Sequence, residues 1–214
     1  MKLRKLGLGA LFLSLLTVLG ARAQEPVGTF QEKGVIVDIQ HFFTAAKGAL
    51  KESFSAEDET VAGRALVTSS GVYAFLETPQ NETWLKEVEP GTAVRVTGKL
   101  LLSGSLLQID ELKKIRRDPG VDLDKFRSDP GRKVKLAGAN KCQCGLKVES
   151  LEASCQLGHL HHLEAADGKI YNYLQIGQAR DLFLGHGFHF KNVDVSALEL
   201  PGHYLLVEGV ELKE

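Results

Sequence analysis

The sequence predicts an all-β protein with minor α content, built as two small five-stranded barrels in tandem. Short apolar runs recur between turn residues, and Val and Ile alternate with polar residues over 94–97, as in a half-buried strand. The second half of the chain repeats the plan of the first at a nearly constant offset. A closed barrel suits such halves because closure removes exposed strand edges.

The first 23 residues have the pattern of a signal peptide. Lys2, Arg4 and Lys5 form a positive start, residues 6–19 are apolar and uncharged, and residues 21–23 read Ala-Arg-Ala, as at a cleavage site. The apolar run is short for a membrane span. We therefore expect an exported protein, periplasmic or secreted, with no membrane attachment after cleavage.

The charge of the mature chain bears on its partners. The full sequence has 26 basic and 27 acidic residues, and removing 1–23 leaves 22 basic and 27 acidic residues, a net charge of −5. A mildly acidic surface lacks the basic patch that nucleic acid or an anionic membrane requires. The sequence thus argues against both and identifies no protein partner.

Strand candidates in the first half are bounded by glycine and polar turns. They cover 34–39, 65–68, 72–77, 93–102 and 106–112, with a short helix expected around 83–88 after Pro79. In the second half, 170–174 aligns with 72–76, 193–195 with 94–96, and 205–213 with 106–113. These offsets, close to 98–100 residues, indicate a tandem duplication.

Two Asp-Pro-Gly breaks lie between the halves, at 118–120 and 129–131. The predicted organisation is a signal peptide at 1–23, a first domain at 24–116, a linker at 117–131 and a second domain at 132–214. Each half resembles an OB-fold, a five-stranded Greek-key barrel. The resemblance implies the fold but no activity.

A closer resemblance is to small secreted bacterial domains of uncharacterised function. The segment 34–45 is similar to their opening G-x-V-V-D-I-x-C-F-F-x-x-G, although His41 stands where those domains have cysteine. The second half is similar to a related group with a Cys-x-Cys pair, a third cysteine and a DGK-x-Y hairpin, here at 142–144, Cys155 and 167–171.

A cluster of sulfur and imidazole donors is the strongest functional signal. All three cysteines and three of the seven histidines fall within the 21 residues from Cys142 to His162. Such donors bind Zn²⁺ or copper. The predicted metal ligands are Cys142, Cys144, Cys155 and His159, with His161 as a reserve ligand. Alternate strand residues share a face, so an extended segment places His161 beside His159, with His162 pointing away.

Two other readings stay open for the same cysteines. One of Cys142 or Cys144 pairing with Cys155 would close a loop in a structural or protein-interaction module without a ligand, stabilising it by roughly 2–4 kcal/mol. A thiol redox protein is the third reading, but the sequence has no C-x-x-C exchange motif. We predict a non-enzymatic binding protein without catalytic residues.

Two further patterns carry less weight. A blue-copper site needs two histidines, a cysteine and usually an axial methionine, but Met1 is the only methionine and leaves with the signal peptide. His186 and His189 lie in a glycine-containing segment, for which the sequence favours a turn over a site.

Overall fold

The computed structural model describes residues 28–44, 63–76, 78–101, 104, 106–142, 147–148, 151–152, 161–176, 178–184 and 186–213. It contains two closed five-stranded barrels in tandem and a separate two-stranded hairpin. The predicted fold class is therefore confirmed. The predicted signal peptide lies outside the described residues.

The elements of the first barrel, in chain order, are β1 (Gly28–Asp38), α1 (Ile39–Thr44), β2 (Arg64–Thr68), β3 (Val72–Phe75), α2 (Pro79–Lys86), β4 (Ala93–Leu101) and β5 (Leu106–Lys114). The strand order is β1-β2-β3-β5-β4, and pairing of β4 with β1 closes the barrel. Neighbouring strands are antiparallel except for the parallel pair of β3 and β5.

The elements of the second barrel are β6 (Arg132–Cys142), the hairpin β7 (Lys147–Val148) and β8 (Leu151–Glu152), β9 (His161–Ala165), β10 (Ile170–Tyr173), α4 (Ala179–Leu184), a 3-10 turn (His186–Phe188), β11 (Asn192–Leu200) and β12 (Tyr204–Leu212). The barrel repeats the topology of the first, with the order β10-β12-β11-β6-β9. Its parallel pair is β10 with β12. Between the barrels lies α3 (Leu123–Arg127).

The register of the last strand differs from the sequence alignment by one residue. Ala74 pairs with Leu106 in the first barrel, and Asn172, its counterpart, pairs with Tyr204 in the second. Leu106 therefore corresponds to Tyr204 and not to Leu205. The parallel pairing fixes this register. Sequence similarity between apolar strands cannot fix it, because neighbouring leucines align equally well.

The helices correct the sequence expectations in three places. Helix α2 begins at Pro79, earlier than expected, because the hydroxyl of Thr78 caps it by accepting from the backbone N–H of Asn81. Helix α1 begins at Ile39, the last residue of an expected strand, and continues through residues for which the sequence predicts no element, while α3 lies within the predicted linker. No helix in the described ranges is long and apolar enough to span a bilayer.

The two barrels share a hydrophobic cluster. Phe42 and Phe43 of α1 belong to the same buried group as Ile170, Leu174 and Tyr204 of the second barrel. A polar contact joins the same surfaces, since the backbone N–H of Gln175 donates to Oε1 of Gln40 at 2.8 Å. Each barrel has its own core besides.

Candidate metal centre

Strand pairing brings a cysteine and a histidine together at one end of the second barrel. Cys142 is the last residue of β6 and His161 the first of β9, and the two face each other directly in the antiparallel register. Directly opposed residues project to the same side of a sheet. Both side chains are buried, with 5% and 3% of their surface exposed.

A third donor comes from the turn that follows α4. His189 lies just beyond the 3-10 turn, is half-buried, and its ring centroid is 5.0 Å from that of His161. One ligand atom from each of Cys142, His161 and His189 lies within 4.8 Å of the other two. The three residues come from separate chain segments, so only the folded barrel assembles the group.

The tautomer of His161 is set by its surroundings. Its Nδ1 lies 2.5 Å from the carbonyl oxygen of Leu182 in α4. A carbonyl can only accept, so Nδ1 carries the hydrogen and Nε2 presents its lone pair. Histidines that bind metals are commonly oriented in this way, with the second ring nitrogen donating to a carbonyl or carboxylate.

Asn140 ties the surrounding segments to β6. Its side chain is fully buried, and its amide donates to the carbonyls of Leu182 and Phe188, each at 3.0 Å. Its Oδ1 accepts from the hydroxyl of Tyr173 at 3.0 Å. The backbone N–H of Phe190 donates to the Asn140 carbonyl at 2.9 Å. Asn140 thus fixes both the carbonyl that orients His161 and the turn that carries His189.

His162 lies on the opposite side of β9 from His161. It pairs with Lys141 of β6 and Asn172 of β10, and it is almost fully buried. Burial lowers the pKa of His162 to about 3, and the charge of Lys141 contributes further. Its imidazole is therefore neutral at physiological pH, and it takes no part in the Cys142, His161 and His189 group.

The first barrel has different residues at the positions equivalent to Cys142 and His161. By strand register, Asp38 and Arg64 occupy the positions of Cys142 and His161. Arg64 donates to the carbonyl of Leu85 in the last turn of α2 and to that of Val88 just after the helix. In the first barrel Arg64 therefore donates hydrogen bonds to carbonyls at the end of the helix. In the second barrel Asn140 and His161 bond the carbonyl of Leu182 in the equivalent way.

The structure places only part of the predicted ligand set. Cys142 and His161 come together, whereas Cys144, Cys155 and His159 lie outside the described residues. The predicted set as a whole, and the alternative disulfide, stay predictions. For His189 the sequence favours a turn over a site; the structure places it in a turn and also within a group that could hold a metal ion. No local pattern places this turn beside β6; the backbone hydrogen bonds of Asn140 with Phe190 and Lys191 do so.

The geometry of the group suits a transition metal. Tetrahedral zinc bound by sulfur and imidazole needs ligand atoms about 3.3–3.8 Å apart, by simple geometry from the usual bond lengths. The three ligand atoms of the group lie within 4.8 Å of one another, which is close to this spacing. The group could therefore hold an ion. Comparisons of the chain with family models, with curated proteins and with solved structures found no match.

Proposed function

We propose that this protein is an exported, non-enzymatic metal-binding protein whose second barrel holds Zn²⁺ or Cu⁺. Cys142, His161 and His189 are the ligands. The observation that carries the proposal is their convergence within 4.8 Å. Thiolate and imidazole together favour zinc and copper over the harder ions magnesium and calcium.

Two further observations support the proposal. The tautomer of His161 directs Nε2, the nitrogen able to bind an ion, away from the Leu182 carbonyl. In the first barrel Asp38 and Arg64 occupy the positions equivalent to Cys142 and His161, so the fold itself does not require a cysteine and a histidine there. His161 also bonds the Leu182 carbonyl, but this structural role does not account for a cysteine and a second histidine beside it, whereas metal binding does.

The proposed location and the candidates for a fourth ligand are inferred from the sequence. The signal-like segment at 1–23 supports a periplasmic or secreted location. A structural zinc site has four protein ligands. The predicted ligands Cys144, Cys155 and His159 are the candidates for the fourth position, and copper(I) would need no fourth ligand.

The test is metal binding by the full mature chain. Protein purified anaerobically is analysed for its elements and titrated with Zn²⁺ in competition with a chromophoric chelator, with Co²⁺ as a spectroscopic substitute. We expect one metal ion per chain and a thiolate-to-Co²⁺ charge-transfer band. Cys142→Ser, His161→Gln and His189→Gln should each weaken Zn²⁺ binding by about 10- to 100-fold or more.

The adjacent histidine provides the matched control. His162→Gln removes an imidazole one position along the chain, but on the opposite face of β9. It should keep the stoichiometry and the Co²⁺ spectrum. A wild-type chain that binds neither Zn²⁺ nor Cu⁺, and whose cysteines instead form one disulfide with one remaining thiol, would refute the proposal and favour the structural module.

A further inference from the structure

Phe190, the residue after His189, has an unusual backbone conformation. Its φ is 56°, in the left-handed region that bulky side chains avoid. His203 is the only other non-glycine residue with positive φ in the described ranges.

The first barrel has a glycine at the equivalent position. Gly91 donates its N–H to the carbonyl of Ile36 at 2.7 Å, as Phe190 does to Asn140. The next residues, Thr92 and Lys191, accept from the N–H of Ile36 and of Asn140 respectively. Gly91 has a φ of 91°, which glycine adopts without strain. The turn therefore favours glycine at this position. The second barrel has a phenylalanine there, although its backbone disfavours the left-handed conformation.

Burial of the phenyl ring does not explain this choice. The Phe190 side chain is 63% exposed, one of two large apolar side chains so exposed in the described part of the chain. Its main aromatic contact is with His189: the ring centroids are 4.3 Å apart, and the planes are inclined by 19°. The ring thus covers one face of His189 and restricts its rotation.

From these observations we infer that Phe190 is a positioning residue of the metal centre, holding the His189 imidazole toward Cys142 and His161 at the expense of backbone strain. This inference rests on the proposed function. A ligand already held in its bound orientation loses less conformational entropy when the metal binds. Backbone strain of this kind persists where the surrounding structure enforces it, often at functional sites.

The test is the variant Phe190→Gly in the full mature chain. Removing the ring should lower Zn²⁺ affinity by about tenfold, as expected for a group that orients a ligand. Relieving the strained φ should raise the denaturant midpoint of the metal-free protein. Affinity and stability then change in opposite directions, which loss of ordinary packing would not produce. Phe190→Tyr keeps the stacked ring and should retain wild-type affinity.

Gly91→Ala is the matched control in the first barrel. A Cβ at Gly91 would meet no atom within 4 Å, so this variant isolates the effect of a side chain on the left-handed backbone. It should lower the midpoint of the metal-free protein and leave Zn²⁺ affinity unchanged.

The outcomes separate this inference from the proposed function. A wild-type chain that binds no Zn²⁺ overturns both. Wild-type binding with unchanged affinity in Phe190→Gly overturns the positioning role alone. A variant in which affinity and metal-free stability fall together also overturns it, because Phe190 would then act through packing.

Discussion

The rings of Phe43 and Tyr204 meet across the boundary between the two barrels, with centroids 6.0 Å apart and planes inclined by 55°. Phe43 lies in α1 of the first barrel and Tyr204 begins β12 of the second. Both are buried members of the shared hydrophobic cluster. The stability of either barrel should therefore depend on the other.

Tyr204→Ala tests this coupling. Removing a large buried ring typically costs about 3–5 kcal/mol. Trp84, the only tryptophan, packs against the first-barrel core and reports on that barrel by fluorescence. We expect the Trp84 transition in urea to move to lower concentration although the substitution lies in the second barrel. Leu212→Ala, at a site 54% exposed, should leave it in place. An unchanged Trp84 transition in Tyr204→Ala would mean independent barrels.

Gly98→Ala should strongly destabilise the first barrel. Gly98 adjoins the bulge between β4 and β5, and an added Cβ would lie 2.0 Å from the carbonyl oxygen of Gln108. A backbone atom cannot move aside as a side chain can, so we expect a loss of about 2–4 kcal/mol in the free energy of unfolding. Gly209→Ala, beside the bulge of the second barrel, meets nothing within 4 Å and serves as the control. Equal effects in urea unfolding would contradict this explanation.

Tyr173→Phe should weaken both the second barrel and the proposed metal centre. The variant loses the hydroxyl that donates to Oδ1 of Asn140, leaving a buried acceptor without this partner. We expect a loss of about 1–3 kcal/mol and a few-fold lower Zn²⁺ affinity. Tyr171→Phe, two residues earlier in β10, is the matched control because the Tyr171 hydroxyl forms no hydrogen bond in the described part of the chain. Calorimetry and Zn²⁺ competition would show whether the two variants differ.

Glu199→Gln should change the dependence of stability on acid pH. Burial acts to raise the pKa of Glu199, but hydrogen bonds from Arg132 and His203 outweigh it and hold the pKa below the usual value of a glutamate. A carboxyl with a lowered folded pKa stabilises the protein above its unfolded pKa, and this stability is lost as the pH falls through the folded pKa.

The expected result is a Gln variant that is less stable at neutral pH and loses less stability on acidification below about pH 4.5 than wild type. Urea unfolding between pH 3 and pH 7 measures both effects. Parallel stability curves for the two proteins would show that Glu199 contributes no such linkage.

The sequence predicted the barrels well because their signals are local and repeated. Alternating apolar residues, as in Val94 and Val96, indicate strands, and the recurrence of the pattern near an offset of 98 indicates a second copy. The sequence did not indicate α1, whose hydrophobic Phe42 and Phe43 read equally well as strand residues. These side chains are buried in part by residues of the second barrel, and a local sequence pattern carries no information about such long-range contacts.

The candidate site was less predictable because its donors are distant in sequence. Cys142 and His161 stood within the recognised cluster, but their direct opposition depends on the pairing of β6 with β9. His189 comes 28 residues after His161, and only the closure of the barrel brings the two rings together. The residue types indicate which side chains could bind a metal, whereas the strand pairing determines which of these side chains lie together.

The origin of the three donors on separate segments also sets an order of events. Before β6 and β9 associate, no structure holds Cys142, His161 and His189 together, so the complete group forms only as the barrel closes. Metal binding at the proposed centre is therefore coupled to folding, and a chain that folds only after export would complete its centre outside the cytosol. The compartment where the barrel closes would thereby select which metal the protein carries.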